Sequence, residues 1–64
     1  MRPAMIRARR PSGMLDVFHA DHAEVRDGFV VAIGYWRGSR SRGQHAWPAS
    51  RVIEVRWASE AVAA

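Results

Sequence analysis

Cysteine is absent from these 64 residues, and so is lysine. Without cysteine there is no disulfide framework and no thiolate nucleophile, and a zinc ion would have to be held by histidines and carboxylates alone. Long apolar runs are missing as well. Nothing approaches the roughly 18 consecutive apolar residues of a membrane-spanning helix, so no membrane role is expected. Met5-Ile6 runs directly into Arg7-Ala8-Arg9-Arg10-Pro11, which leaves no apolar segment for a secretory signal and makes the cytoplasm the expected location. Length excludes more. A chain this short buries only about 60% of the surface its unfolded form exposes, too little for a large catalytic core.

What the chain does have is arginine. Ten arginines stand against six acidic residues, for a formal net charge of +4. Guanidinium forks suit phosphate oxygens, and neutralising phosphates releases counterions, so nucleic acid is the first partner to consider. The excess is unevenly spread. Residues 1–13 hold Arg2, Arg7, Arg9 and Arg10 with no acid, whereas residues 14–64 balance six arginines against six Asp or Glu. With Pro3, Pro11 and Gly13 among four like charges, residues 1–13 read as a flexible basic N-terminal arm. Removing that arm is expected to leave the fold intact and to take the net charge with it.

From Met14 the pattern alternates with a period of two, the signature of strands. Leu15 and Val17 face one way and Asp16 and Phe18 the other, and Ala20-Asp21 is a plausible break. Ala23 and Val25 resume the period up to Asp27-Gly28, a hairpin signal because a type I′ turn needs positive φ at both central residues. Phe29 to Trp36 is then β-branched and aromatic throughout and forms the central strand. Both of its faces are apolar. Phe29, Val31, Ile33 and Tyr35 share one, expected in the core, and Val30, Ala32, Gly34 and Trp36 share the other, expected outside. Arg37 to Gly43 is a loop by composition. Gln44 to Trp47 resumes pairing until Pro48, which has no amide to donate. Arg51 to Trp57 reads as the last strand, and 58–64 as a tail or short helix with Ser59 as a candidate N-cap. The sum is a mainly β domain over 14–57, an antiparallel meander of three to five strands. The segment Trp47-Pro-Ala-Ser-Arg-Val-Ile-Glu-Val55 resembles the short turn before the last strand of SH3-like barrels, which implies that the sheet can curl into such a barrel. The likeness covers about nine residues, and the acidic, aromatic peptide-binding motif of signalling SH3 domains is missing, so their proline-rich ligands are not implied.

Catalytic and metal chemistry find little footing. His19-Ala20-Asp21-His22 brings two imidazoles close in sequence, but in a strand they point to opposite faces, and a third ligand would have to come from His45 or a distant acid. No metal and no other cofactor is expected. Asp16, Asp21, His19, His22 and His45 show no spacing that singles out an acid–base pair, and no serine has a nucleophile-elbow context, so the chain is expected not to be an enzyme.

The most informative constellation is the Arg37–Arg42 loop beside Tyr35, Trp36 and Trp47, since arginine forks with exposed aromatic faces are the equipment of single-strand binders. The expected contacts to nucleic acid are Arg7, Arg9, Arg10, Trp36, Arg37, Arg40 and Arg42. The function that follows is a non-enzymatic basic β module holding nucleic acid mainly through phosphates. Against it stands a small interaction or assembly subunit that uses an apolar sheet face. Either way a homo-oligomer or a larger protein assembly is expected, because one core in so short a chain rarely supplies more than about 3 to 5 kcal/mol.

Overall fold

The computed structural model describes residues 2–58, which form five antiparallel strands in one sheet. Strand β1 is Arg2–Arg9, β2 is Leu15–Arg26, β3 is Phe29–Trp36, β4 is Gly43–Pro48 and β5 is Glu54–Trp57. A turn of 3-10 helix, Ala49–Arg51, precedes β5. The order across the sheet is β4-β3-β2-β1-β5, so β1 to β4 make a meander and β5 returns to β1. The chain is therefore mainly β, at the upper end of the expected strand count. Among the described residues no helix is long and apolar enough to cross a membrane. The expected cap Ser59 lies outside the described residues.

The expected arm is instead an interior strand. Residues 2–9 are paired with β2 on one side and β5 on the other. The prolines and arginines concealed a period-two pattern of small residues: Ala4, Ile6 and Ala8 point inward and are buried, while Arg7 and Arg9 stay outside. Among the described residues this segment is the one strand paired with β5 and one of the two paired with β2, so the pairing argues against a fold that survives its removal.

Hydrogen bonds force the sheet to curl. From Pro48 to Glu54 the chain contains one 3-10 turn at about 2.0 Å per residue and a few extended steps, a reach of roughly 16 Å. In a flat five-strand sheet the edge strands stand four spacings apart, roughly 19 Å. Ala49 N donates to Gly28 O at 2.8 Å and Ile53 N donates to Arg7 O at 2.9 Å, so four residues carry the chain from the start of β3 to β1. The last strand is shorter than expected for the same reason: Arg51 is in the 3-10 turn, and Val52 and Ile53 belong to the crossing.

The β2–β3 hairpin turns at Asp27-Gly28, where φ is 52° and 76°, the two positive values a type I′ turn requires. The break expected at Ala20-Asp21 is a bulge in a continuous strand, between the Ala20–Gly34 and His22–Ile33 pairs. The extra residue shifts the alternation, so Ala20 and Ala23 both face inward. It also puts His19 and His22 on the same outer face, opposite Tyr35 and Ile33, and not on opposite faces as a regular strand would.

The core lies on the face of β3 expected to be outside. Val30, Ala32 and Trp36 are buried, whereas Phe29 and Ile33 are 45% and 44% exposed and Tyr35 is half-buried. Period two groups residues correctly but cannot choose between two apolar faces; packing chooses. Trp36 on the inner face meets Phe18 at 5.3 Å and Trp47 at 5.9 Å between ring centroids, both nearly perpendicular, a favourable edge-to-face geometry. Gly34 on that face has no room for a side chain, since a Cβ there would overlap the His19 carbonyl and stand 2.8 Å from Ala20 Cα. Phe18 and Ile6 are the largest side chains wholly out of solvent, and alanine fills much of the remaining interior.

Candidate nucleic-acid interface

Most of the arginines are committed to carboxylates, and the sheet decides which. On the outer face, Arg7 of β1 and Glu54 of β5 are cross-strand partners with nitrogen and oxygen 3.7 Å apart, and Arg56 adds a 3.0 Å bond to the same Glu54. Arg26 bonds Glu24 two residues earlier on β2 at 2.9 Å. Arg42 grips Asp21 with two bonds, Nε to Oδ2 at 2.9 Å and Nη2 to Oδ1 at 3.2 Å, and its guanidinium lies 4.9 Å from the Tyr35 ring centroid. The Arg42 bond is the main reason the Asp21 carboxyl is held below its usual range, and the same bond raises Arg42 further.

Asp16 is the hub at the end of the sheet where the β1–β2 turn meets the β3–β4 loop. Its Oδ1 accepts from Val17 N at 2.7 Å and lies 3.2 Å from Arg37 Nη2. Its Oδ2 lies 2.8 Å from Arg10 Nε, an ion pair whose N–H does not point at the oxygen. The carboxylate side chain is only 12% exposed. The Val17 amide first, then the charges of Arg10 and Arg37, hold its pKa below the ordinary value. Arg10 also donates from Nη2 to Arg37 O at 3.0 Å and lies 5.5 Å from the Trp36 ring centroid. These contacts fasten the two loops together.

Four arginines have no carboxylate partner among the described residues. Arg2 lies over Trp57 at 4.5 Å, Arg9 donates from Nη1 to Gly13 O at 2.8 Å, and Arg40 and Arg51 are exposed. Two of the four converge. Arg9 and Arg51 both line a groove of about 730 Å³ that runs between the β1–β2 turn and β4 with its 3-10 turn. Arg10 lines it too, together with His45, Trp47, Pro48 and Ile53, and none of the lining residues is a carboxylate. The groove follows the open seam of the curled sheet, where the edge strand β4 has no strand beyond it among the described residues. Within it the His45 and Trp47 rings lie 5.7 Å apart and 11° from parallel. Alternate positions on one face of β4 place them side by side. Phe18 closes behind both, 5.1 Å from His45 and 5.3 Å from Trp47.

The expected contact residues therefore divide. Arg9 reaches the groove without an acidic partner among the described residues, Arg10 reaches it while paired with Asp16, and Arg40 is exposed in the β3–β4 loop. Arg7, Arg37 and Arg42 are each paired with an acid. Trp36 is 8% exposed, part of the aromatic core, and offers no open stacking surface. His45 and Arg51 were not among the expected contacts. The sequence reads as a turn at Pro48-Ala49-Ser50 with Arg51 opening the next strand; the 3-10 turn takes in Arg51 as its last residue instead. His45 alternates with Trp47, the signal that could have found the stacked pair. Among the described residues no three His, Asp or Glu side chains gather as a metal site would require. Comparison with protein-family models, with curated proteins and with solved structures finds no match to this chain.

Proposed function

We propose that the chain is a non-enzymatic module that binds nucleic acid, holding phosphates along the seam groove with Arg9 and Arg51, helped by Arg10 and by Arg40 on the neighbouring loop. The observation that carries this reading is the convergence of arginines without carboxylate partners on a groove that has no acidic lining residue. Phosphate contacts position a ligand without reading its sequence, and no α-helix is present among the described residues to enter a major groove. Within the same reading, the strand order and the 3-10 turn before β5 support describing the curled sheet as an incompletely closed SH3-like barrel, and the cytoplasm is where such a module would meet its ligand. The test is titration of the whole chain with single- and double-stranded oligonucleotides across a salt series. Affinity should fall with salt at a slope of about 0.7 to 0.9 per phosphate neutralised, for two to four phosphates. Binding that is absent at low salt, or that ignores salt, rejects the proposal.

A second reading, a protein-assembly subunit, is favoured by a different observation. Phe29 and Ile33 stand almost half exposed on the outer face of β3, with Val31 between them and Ala46 and Pro48 beside them on β4. Large apolar side chains left outside while alanine fills the interior fit a partner or a second copy of the chain. Light scattering across a dilution series tests it, and a monomer at every concentration removes the self-association form of it.

A further inference from the structure

We infer that the ligand unit of the seam groove is an unpaired nucleotide, its base laid against the His45–Trp47 pair and its phosphates on Arg9 and Arg51. The inference rests on the nucleic-acid reading and adds strandedness to it.

The groove has two parts that only such a ligand uses together. Its cations, Arg9, Arg10 and Arg51, suit phosphate oxygens, while His45 and Trp47 present parallel rings and Pro48 and Ile53 add apolar surface. At about 730 Å³ it falls within the roughly 300 to 1,000 Å³ of sites that enclose a small ligand. A duplex presents its phosphates on a convex surface and keeps its base faces stacked inside, so it could touch the arginines but not the rings. An unpaired base has a free π-face, and placed parallel to His45 it continues the stack already begun by Trp47. Trp47 is 9% exposed and fixed by Phe18 and Trp36, whereas His45 is half-buried and is the member of the pair with surface left to offer. A rigid aromatic pair costs little entropy to order on binding, which favours it as a platform over a mobile loop. Stacking of this kind accepts any base, in keeping with a groove whose charged contacts are to the backbone.

The experiment compares an oligothymidylate with a mixed-sequence duplex of equal length, at one salt concentration, for the wild type, His45→Ala and His45→Phe. The wild type should bind the single strand about tenfold more tightly than the duplex, the effect of one stacked base. His45→Ala should lose that preference, while His45→Phe, which restores a ring, should keep it. Circular dichroism establishes that each variant is folded, and should His45→Ala fail to fold, the wild-type ratio and His45→Phe still decide. Equal affinity of the wild type for the two ligands, or a loss of preference in folded His45→Phe, overturns the inference while leaving phosphate binding in place. Failure to bind either oligonucleotide overturns both.

Discussion

The outer face of the sheet and the seam beside β4 are built with the same residue type and differ in what surrounds it. On the outer face Arg7, Arg26, Arg42 and Arg56 each have a carboxylate within 4 Å, mostly on a neighbouring strand or two residues away on their own. At the seam Arg9 and Arg51 have none among the described residues, and the groove they share contains no acid. A formal charge of +4 says nothing of where an anion would be attracted. The fold does, by spending acids on one set of arginines and leaving the other open to solvent. Exposed pairs of this kind contribute little to stability, because solvent screens them and holding two long side chains in place costs entropy. Their consequence is that the arginines of the outer-face pairs are neutralised while Arg9 and Arg51 in the groove are not.

The same two-sidedness governs stability, and the sharpest way to break it is to truncate one aromatic on each face. Phe18 is fully buried against Trp36, His45 and Trp47, so Phe18→Ala should cost about 3 to 5 kcal/mol, comparable to the whole stability expected of a chain this size. Phe29→Ala on the outer face should cost less than about 1 kcal/mol. Denaturant melts of both variants provide the check, and similar losses would mean that the outer face is also packed, by a second copy or another protein. Next in size is Gly34→Ala, which places a methyl group against the His19 carbonyl, beside the bulge in β2. Backbone on both sides cannot yield cheaply, and a loss of about 2 to 3 kcal/mol is expected in the same melts.

A smaller effect separates the Asp16 hub from the free arginines. Asp16 has a pKa below its ordinary value in the folded chain, so the folded state binds fewer protons at this group than the unfolded state. The stability it contributes is present above the unfolded value, about 4, and is lost as the pH falls through the folded one. Asp16→Asn should therefore lower stability at neutral pH and flatten the loss below about pH 4, as measured by melts at stepped pH. It also removes the counter-charge of Arg10 and Arg37, so oligonucleotide affinity should rise. An acid limb as steep as in the parent would mean that Asp21 or another carboxyl carries it.

How much of this was legible in the chain depends on the residue. The hairpin at Asp27-Gly28 was, because only a few residues tolerate two consecutive positive φ values, and the strand of Phe29 to Trp36 was, because its side chains favour nothing else. Strand β1 was not. Its inward residues include two alanines, too weakly hydrophobic to stand out among arginines and prolines, and their burial depends on β2 and β5 closing over both flanks. The face of β3 was not legible either, since both faces are apolar and the choice is made by Phe18, Trp47 and the closeness of the His19 backbone to Gly34. Nor was the groove, because Arg9 and Arg51 lie 42 positions apart and meet only when the chain crosses from β4 to β1. The expectation of a neutral body with a charged arm had the right inventory of charge and the wrong geometry.

One measurement tests the division of the arginines most directly. The double variants Arg9→Ala/Arg51→Ala and Arg7→Ala/Arg56→Ala lose the same formal charge, the first from the seam and the second from the outer face. Their affinities for an oligothymidylate, followed across a salt series, should differ in slope. The seam variant should lose about 0.7 to 0.9 of slope for each arginine that contacts a phosphate, and the outer-face variant should keep the wild-type slope. Equal slopes in the two variants would contradict the account, because they would mean that the ligand responds to net charge wherever it lies and not to the groove.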